Sequence, residues 1–352
     1  MKFEVIVILL LIIFVAACLL LRSPSKDKRL VDLLENVILI QLNEHRMYSV
    51  YRFEAEECMF VGDIRGCLIS LLIVLDKYNS FKERYPNAHI VFLGDYVGGG
   101  PCSLACLKLI LELKRNDPFH VHLCRGNHED IDIYKIDEPE GRSVLPDLIE
   151  EYGERKAYYI YPLIGEFYAS LSPCLILNGN VLCCHGMIHD NFLENGKFNF
   201  KPSILKDPFL TSITWSNYPK PIAEEREYGS NVSPEELQEK CRKMHITKVI
   251  KGHDYSGAGN RMNGMVIDVN IIISSLWKNR RTTFYTYNDA SLQKIPSNEP
   301  FYKHTSCIFM VKGILHHSPF LEYEDKIYMY SLIKRMDVSD EKKHLSYREL
   351  FE

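Results

Sequence analysis

The chain has 352 residues, 46% hydrophobic and 25% charged, which is enough to bury one large or two small cores and excludes a disordered, highly charged polypeptide. A net charge of −4 leaves no basic surplus of the kind that binds nucleic acid. The 11 cysteines are odd in number, scattered and without a Cys-x-x-Cys pair, which argues against a disulfide framework or structural zinc and for a reducing compartment.

Residues Phe3 to Leu21 are almost wholly Val, Ile, Leu, Phe and Ala, with Glu4 the single charge. At about 1.5 Å per residue such a helix crosses most of a ~30 Å hydrocarbon core, so it reads as a transmembrane anchor. A cleaved signal peptide is the alternative; the apolar run is long for one and no Ala-x-Ala-like site follows it. Arg22, Lys26, Lys28 and Arg29 flank its carboxyl side, against Lys2 and the amino terminus on the other, so the positive-inside rule places the body of the protein in the cytoplasm. Residues 22–29 read as a linker. From Lys28 to about Glu44, Leu30, Leu33, Leu34, Val37, Ile38 and Leu42 follow helical spacing.

Three short apolar runs then end in chemistry-bearing residues. Cys58-Met-Phe-Val-Gly62 leads to Asp63, Ile90 to Leu93 leads through Gly94 to Asp95, and Val121 to Cys124 leads to Arg125-Gly-Asn-His-Glu129. Each reads as a buried strand delivering polar groups at its carboxyl end, where open α/β sheets collect their ligands. Helical runs at 68–75 and 104–113 separate them, a βαβ series that predicts a mostly parallel, helix-covered sheet. Residues 144–152 read as a helix. Leu175 to Cys184 carries an Asn178-Gly179 hairpin signal and delivers His185-Gly186. Ser233-Pro-Glu-Glu236 reads as a capping box opening a helix to about Met244, and Lys248 to Lys251 as a strand leading to Gly252-His253. Further β-like runs occupy 264–277 and 305–333, around a polar connection at 279–304.

Taken together, Gly62-Asp-Ile-Arg-Gly66, Gly94-Asp-Tyr-Val-Gly-Gly-Gly100, Arg125-Gly-Asn-His-Glu129, His185-Gly186 and Gly252-His253 resemble, in order, the signature of the phosphoprotein phosphatases. These are the calcineurin-like, metal-dependent serine/threonine phosphatases, and the chain looks most like their type-1 and type-2A branch. The resemblance implies an α/β metallophosphoesterase domain over residues 30–320, a central β-sandwich flanked by helices, followed by an extension at 321–352. It implies one or two divalent metal ions, manganese, iron or zinc. Asp95 is then the bridging ligand, Asp63 belongs to the first metal, Asn127, His185 and His253 belong to the second, and His128 is the general acid. Arg226, beyond Trp215-Ser216-Asn217, is the candidate phosphate-binding arginine. A phosphoprotein is the implied substrate or ligand, with a regulatory subunit as a further partner.

The chain departs from the pattern at three degenerate positions, Arg65, Gly98 and Gly99. Arg65 stands where the family has a metal-binding histidine; a guanidinium has no lone pair to offer and repels a cation. Gly98 and Gly99 replace an aspartate that would orient His128 and an arginine that would clamp phosphate. The sequence therefore predicts a membrane-anchored phosphoserine/phosphothreonine phosphatase of reduced activity, or alternatively a pseudophosphatase in which Arg65 holds a phosphate without turnover. Hydrolysis of a small phosphoester on the same fold ranks third.

Overall fold

The computed structural model describes residues 25–44, 50–100, 102–132, 143–188, 203–204, 207–217, 229, 231–253, 259–262, 265–269, 306–312 and 314–319. The predicted anchor at 3–21, the connection at 279–304, Arg226 and the extension at 321–352 lie outside the described residues. Among those described, no helix is long and apolar enough to cross a membrane.

Helix α1 (Lys26–Glu44) buries Leu30, Leu33, Leu34 and Val37 of the predicted stripe, with Ile38 partly buried, while Leu42 near its end is exposed. Strands β1 (Tyr51–Phe53) and β2 (Glu57–Val61) follow, then α2 (Leu68–Arg84), β3 (His89–Phe92), α3 (Ser103–Asn116) and β4 (Val121–Leu123). Helix α2 outruns the predicted 68–75 because Tyr78 and Phe81 prolong its apolar face into a polar-looking stretch. Helices α4 (Leu145–Tyr152) and α5 (Glu154–Ser170) form a pair broken at Gly153, and α1 packs on α3 and α5. The sequence reading assigns nothing to residues 154–170, and Pro162 inside α5 is a residue that ordinarily breaks a helix. Burial of Ala157, Ile160, Tyr161, Ile164, Phe167 and Tyr168 holds that helix in place regardless.

Next come β5 (Cys174–Leu177), β6 (Val181–Cys184), α6 (Pro208–Trp215), α7 (Pro234–Lys243), β7 (Lys248–Lys251), β8 (Gly259–Arg261), β9 (Val266–Asp268), β10 (Ser306–Val311) and β11 (Ile314–Pro319). The predicted Asn178-Gly179 turn joins β5 to β6, with both residues at positive φ, 51° and 72°. Ser233 caps α7 by accepting from the Glu236 backbone N–H at 3.1 Å. Glu236 does not complete the box; its carboxylate takes Lys240 at 2.8 Å, one turn along.

The strands form two sheets and not the mostly parallel one that the βαβ series predicts. One sheet runs β11-β10-β2-β3-β4, the other β1-β5-β6-β7-β9-β8. The parallel βαβ set β2-β3-β4 is extended by antiparallel β10 and β11. In the second sheet the tight turn forces β5 and β6 antiparallel, while β6, β7 and β9 are parallel. Side-chain alternation makes that sheet a wall. Leu175, Leu177, Cys183, Ile250 and Ile267 face the main core, while Cys174, Ile176, Leu182, Cys184, Val249 and Val266 join Leu237 and Cys241 of α7 in a second cluster. A β-sandwich results, and the carboxyl ends of β2, β3, β4, β6 and β7 meet at one rim. Cys58, Cys67, Cys102, Cys106, Cys124, Cys174, Cys183, Cys184 and Cys241 are all free thiols.

Candidate metal centre

The rim is built by loops that cross at van der Waals contact. A Cβ on Gly94 would lie 2.4 Å from the Gly126 nitrogen, and one on Gly126 would lie 2.3 Å from the Asp95 nitrogen, so glycine is required where the loops after β3 and β4 pass each other. Glu129 fastens the crossing. Its buried carboxylate accepts from the backbone N–H of Asp95 at 2.6 Å, Tyr96 at 2.9 Å and Gly126 at 2.9 Å. Burial, reinforced by the Asp95 charge, pushes the Glu129 carboxyl up to about 7. On the other side, the N–H groups of Ile64 and Arg65 both donate to the Asp95 carbonyl, at 3.0 and 2.7 Å.

Into this crossing the sequence-predicted residues Asp63, Asp95, Asn127, His128, His185 and His253 all converge, each 5% exposed or less. Three residues at the site, Arg65, Asp95 and His253, hold positive φ of 53°, 56° and 71°. Such backbone costs on the order of 1–3 kcal/mol per residue and persists where the surroundings impose it.

The hydrogen-bond roles follow from the partners. His185 Nδ1 lies 3.0 Å from the Leu93 carbonyl, which only accepts, so Nδ1 carries the proton and Nε2 presents a lone pair. His253 Nε2 lies 3.2 Å from the Trp215 carbonyl at the end of α6, which in the same way leaves its Nδ1 as an acceptor. These two acceptor nitrogens are 3.2 Å apart. The Asn127 Oδ1 is 2.8 Å from His185 Nε2, and the Asp95 Oδ1 is 3.3 Å from it. Four acceptors therefore surround one buried point. Such a cluster holds together around a positive charge, an added proton on His185 or a cation, and Asp95, His185 and His253 have the spacing of a metal-ligand set.

Electrostatics at the site are those of buried charges held by one another. Burial alone would raise the Asp95 carboxyl, but His185, His128 and Arg65 outweigh it and hold the group well below the usual carboxylate range. Burial raises Asp63 more than His185 draws it down. Burial lowers His185, and the Asp95 and Asp63 carboxylates reverse this and raise it. One Asp63 oxygen accepts from the His253 N–H at 2.9 Å; the other has no hydrogen-bond partner among the described residues.

His128 donates its backbone N–H to Asp95 Oδ1 at 2.9 Å, and its ring Nε2 stands 4.0 Å from Asp95 Oδ2. Arg65, predicted as an intruder, lies inside the site: its Nη1 is 3.0 Å from Asp95 Oδ2 and its Nε donates to the Gly98 carbonyl at 2.8 Å. Gly98 and Gly99 adopt φ of 90° and 103°. Three supports are not assigned by sequence reasoning: Glu129 and the carbonyls of Leu93 and Trp215. Glu129 stands within the Arg-Gly-Asn-His-Glu string and was there to be found; a carbonyl carries no residue signal at all.

A family model described as calcineurin-like phosphoesterase matches residues 58–257, more than half of the chain. The chain belongs to the calcineurin-like phosphoesterase family. Its relatives include serine/threonine-protein phosphatases. It is 33% identical over 129 residues to serine/threonine-protein phosphatase BSL2 of Arabidopsis thaliana, covering 36% of this chain and 12% of that protein. It is 28% identical over 159 residues to the serine/threonine-protein phosphatase 4 catalytic subunit of Eremothecium gossypii, covering 44% of this chain and 47% of that one. The chain thus spans less than half of either relative. A solved protein serine/threonine phosphatase from Saccharomyces cerevisiae, described as similar to human phosphatase PP5, superposes with a TM-score of 0.60 at 15% identity, covering 86% of this chain and 92% of that one, which is a likeness of fold. The family implies divalent metal ions, and the acceptor cluster at Asp95, Asn127, His185 and His253 fits one. The place beside Asp63 and Arg65 does not, because the guanidinium already takes the second oxygen of Asp95.

Proposed function

We propose that this phosphoesterase is a serine/threonine phosphatase-like hydrolase of phosphomonoesters on proteins, with reduced turnover. The observation that carries the reading is the buried cluster of acceptors on Asp95, Asn127, His185 and His253, which wants a cation, with the His128 imidazole beside it. A bound manganese, iron or zinc ion would supply an activated water and neutralise phosphoryl charge. Asp95, Asn127, His185 and His253 would hold it. The Leu93 and Trp215 carbonyls fix the two imidazoles in the ligating tautomer, and Glu129 keeps the loops crossed. His128 donates the proton that the leaving serine or threonine oxygen needs. It does so without a carboxylate partner at Gly98 to orient it, a reason for slow turnover. Arg65 and Arg226 are the candidate phosphate-binding arginines.

Because one relative is named a catalytic subunit, a regulatory partner is part of the proposal, as is anchoring through the apolar run at 3–21 with the domain in the cytoplasm. A second reading, a pseudophosphatase that binds phosphorylated partners, is favoured by the Arg65–Asp95 ion pair. The test is phosphate release from a phosphoserine peptide by the full chain in detergent with excess manganese, beside Asp95→Asn. Release above that control supports hydrolysis; binding of the peptide without release supports the second reading.

A further inference from the structure

The two oxygens of Asp95 have different partners. The Oδ1 atom turns to the acceptor cluster, 3.3 Å from His185 Nε2, whereas Oδ2 is taken by the Arg65 guanidinium at 3.0 Å. Whether a bridging carboxylate would share one oxygen or offer one to each ion, the guanidinium 3.0 Å from Oδ2 holds a fixed positive charge where a second ion would have to approach. We propose that the centre holds a single divalent ion, with the Arg65 guanidinium as a built-in replacement for the other. The inference deepens the metal-dependent reading above and rests on it.

The replacement is fixed in position. Arg65 is 6% exposed, its Nε donates to the Gly98 carbonyl, its backbone N–H donates to the Asp95 carbonyl at 2.7 Å, and its own carbonyl accepts from the Gly100 N–H at 2.7 Å. A side chain pinned at both ends does not swing aside for an arriving ion. Gly98 belongs to the same device. Its carbonyl receives Arg65, and its φ of 90° lies where an L side chain is strained, so the glycine that replaces the expected carboxylate also shapes the loop that positions the guanidinium. On the far side, among the described residues, the second Asp63 oxygen is the buried carboxylate oxygen left without a hydrogen-bond partner. One oxygen facing a fixed cation is a poor site, and charge repulsion at this range weakens a second ion by on the order of a thousandfold or more.

The test counts ions. The full chain in detergent is loaded with manganese, freed of excess metal, analysed for metal per chain and examined by electron paramagnetic resonance. The expected result is one ion with the signal of an isolated centre. Arg65→His restores an imidazole, and histidine tolerates the left-handed backbone at this position; it is expected to take two ions and show an exchange-coupled pair. Arg65→Ala removes the charge without adding a ligand, and is expected to gain a second, weaker ion as manganese is raised. Two firmly held ions on the unaltered chain overturn the proposal, as does a single ion in both variants when circular dichroism shows them folded. If the counts follow the expected pattern but no variant releases phosphate from a phosphopeptide, the hydrolytic function fails and the single-ion centre stands. If the unaltered chain and both variants bind no metal, both ideas fall.

Discussion

Asp95 and His128 sit side by side and, in the proposed reaction, have separable duties. Asp95→Asn replaces the carboxylate oxygen proposed to hold the ion with an amide and removes the charge paired with Arg65 Nη1 at 3.0 Å. Breaking a buried pair in this way costs about 3–5 kcal/mol, so the variant is expected to lose its metal and to unfold at markedly lower denaturant. His128→Gln keeps size and polarity but cannot donate a proton as an acid of near-neutral pKa. Its expected signature is a fall in phosphate release of about 10²–10⁴-fold with the metal content unchanged. A parallel loss of metal would show that His128 holds the site and does not serve the reaction. Both residues were legible in sequence because each follows an apolar run and a glycine. Whether Arg65 reaches Asp95 was not legible, since the two are 30 positions apart and meet only where two loops cross.

At the scale of elements, two short signals in the sequence carry measurable weight. Ser233 caps α7, and Ser233→Ala is expected to cost about 1 kcal/mol by chemical denaturation with the site untouched. Asn178 does more than turn the β5–β6 hairpin. Its side chain accepts from the Ala55 N–H and donates to the Ala55 carbonyl, both at 2.9 Å, tying the turn to the segment between β1 and β2. Asn178→Ala loses both bonds and puts an alanine at φ 51°, with an expected cost of roughly 2–3 kcal/mol. The turn was readable from Asn-Gly; the tie to Ala55, 123 residues away, was not. Helix α5, unassigned in the sequence reading, is the opposite case: the local signal of Pro162 argues against a helix that packing on α1 and α4 sustains.

At the scale of the molecule, the rim opposite the metal centre has its own titrating pair. The His89 and His122 rings lie edge to edge in nearly one plane with centres 5.1 Å apart and His89 Nδ1 2.8 Å from His122 Nε2, and Phe53 stacks on His122. Burial, helped by His120, lowers His89 to about 4, and burial holds His122 well below its ordinary value. A histidine kept neutral in the fold takes up its proton first in the unfolded chain. Stability conferred by the pair is therefore complete above about pH 6.5 and falls as pH drops from there toward 4. Denaturation at pH 7.5 and pH 5 should differ by about 2 kcal/mol through His89 alone, and His89→Phe should flatten that slope. An unchanged slope would mean that the pair is charged in the fold. What the sequence by itself determined was the inventory: strands ended by glycine, the ligands after them, the order of the motifs and the substitution at Arg65, all properties of a few neighbouring residues. Only the tertiary structure decided which strands join which sheet, which loops cross at the shared rim, and that a guanidinium occupies half of the central carboxylate. Those facts depend on contacts between segments far apart in the chain, and local spacing carries no record of which loop will cross which.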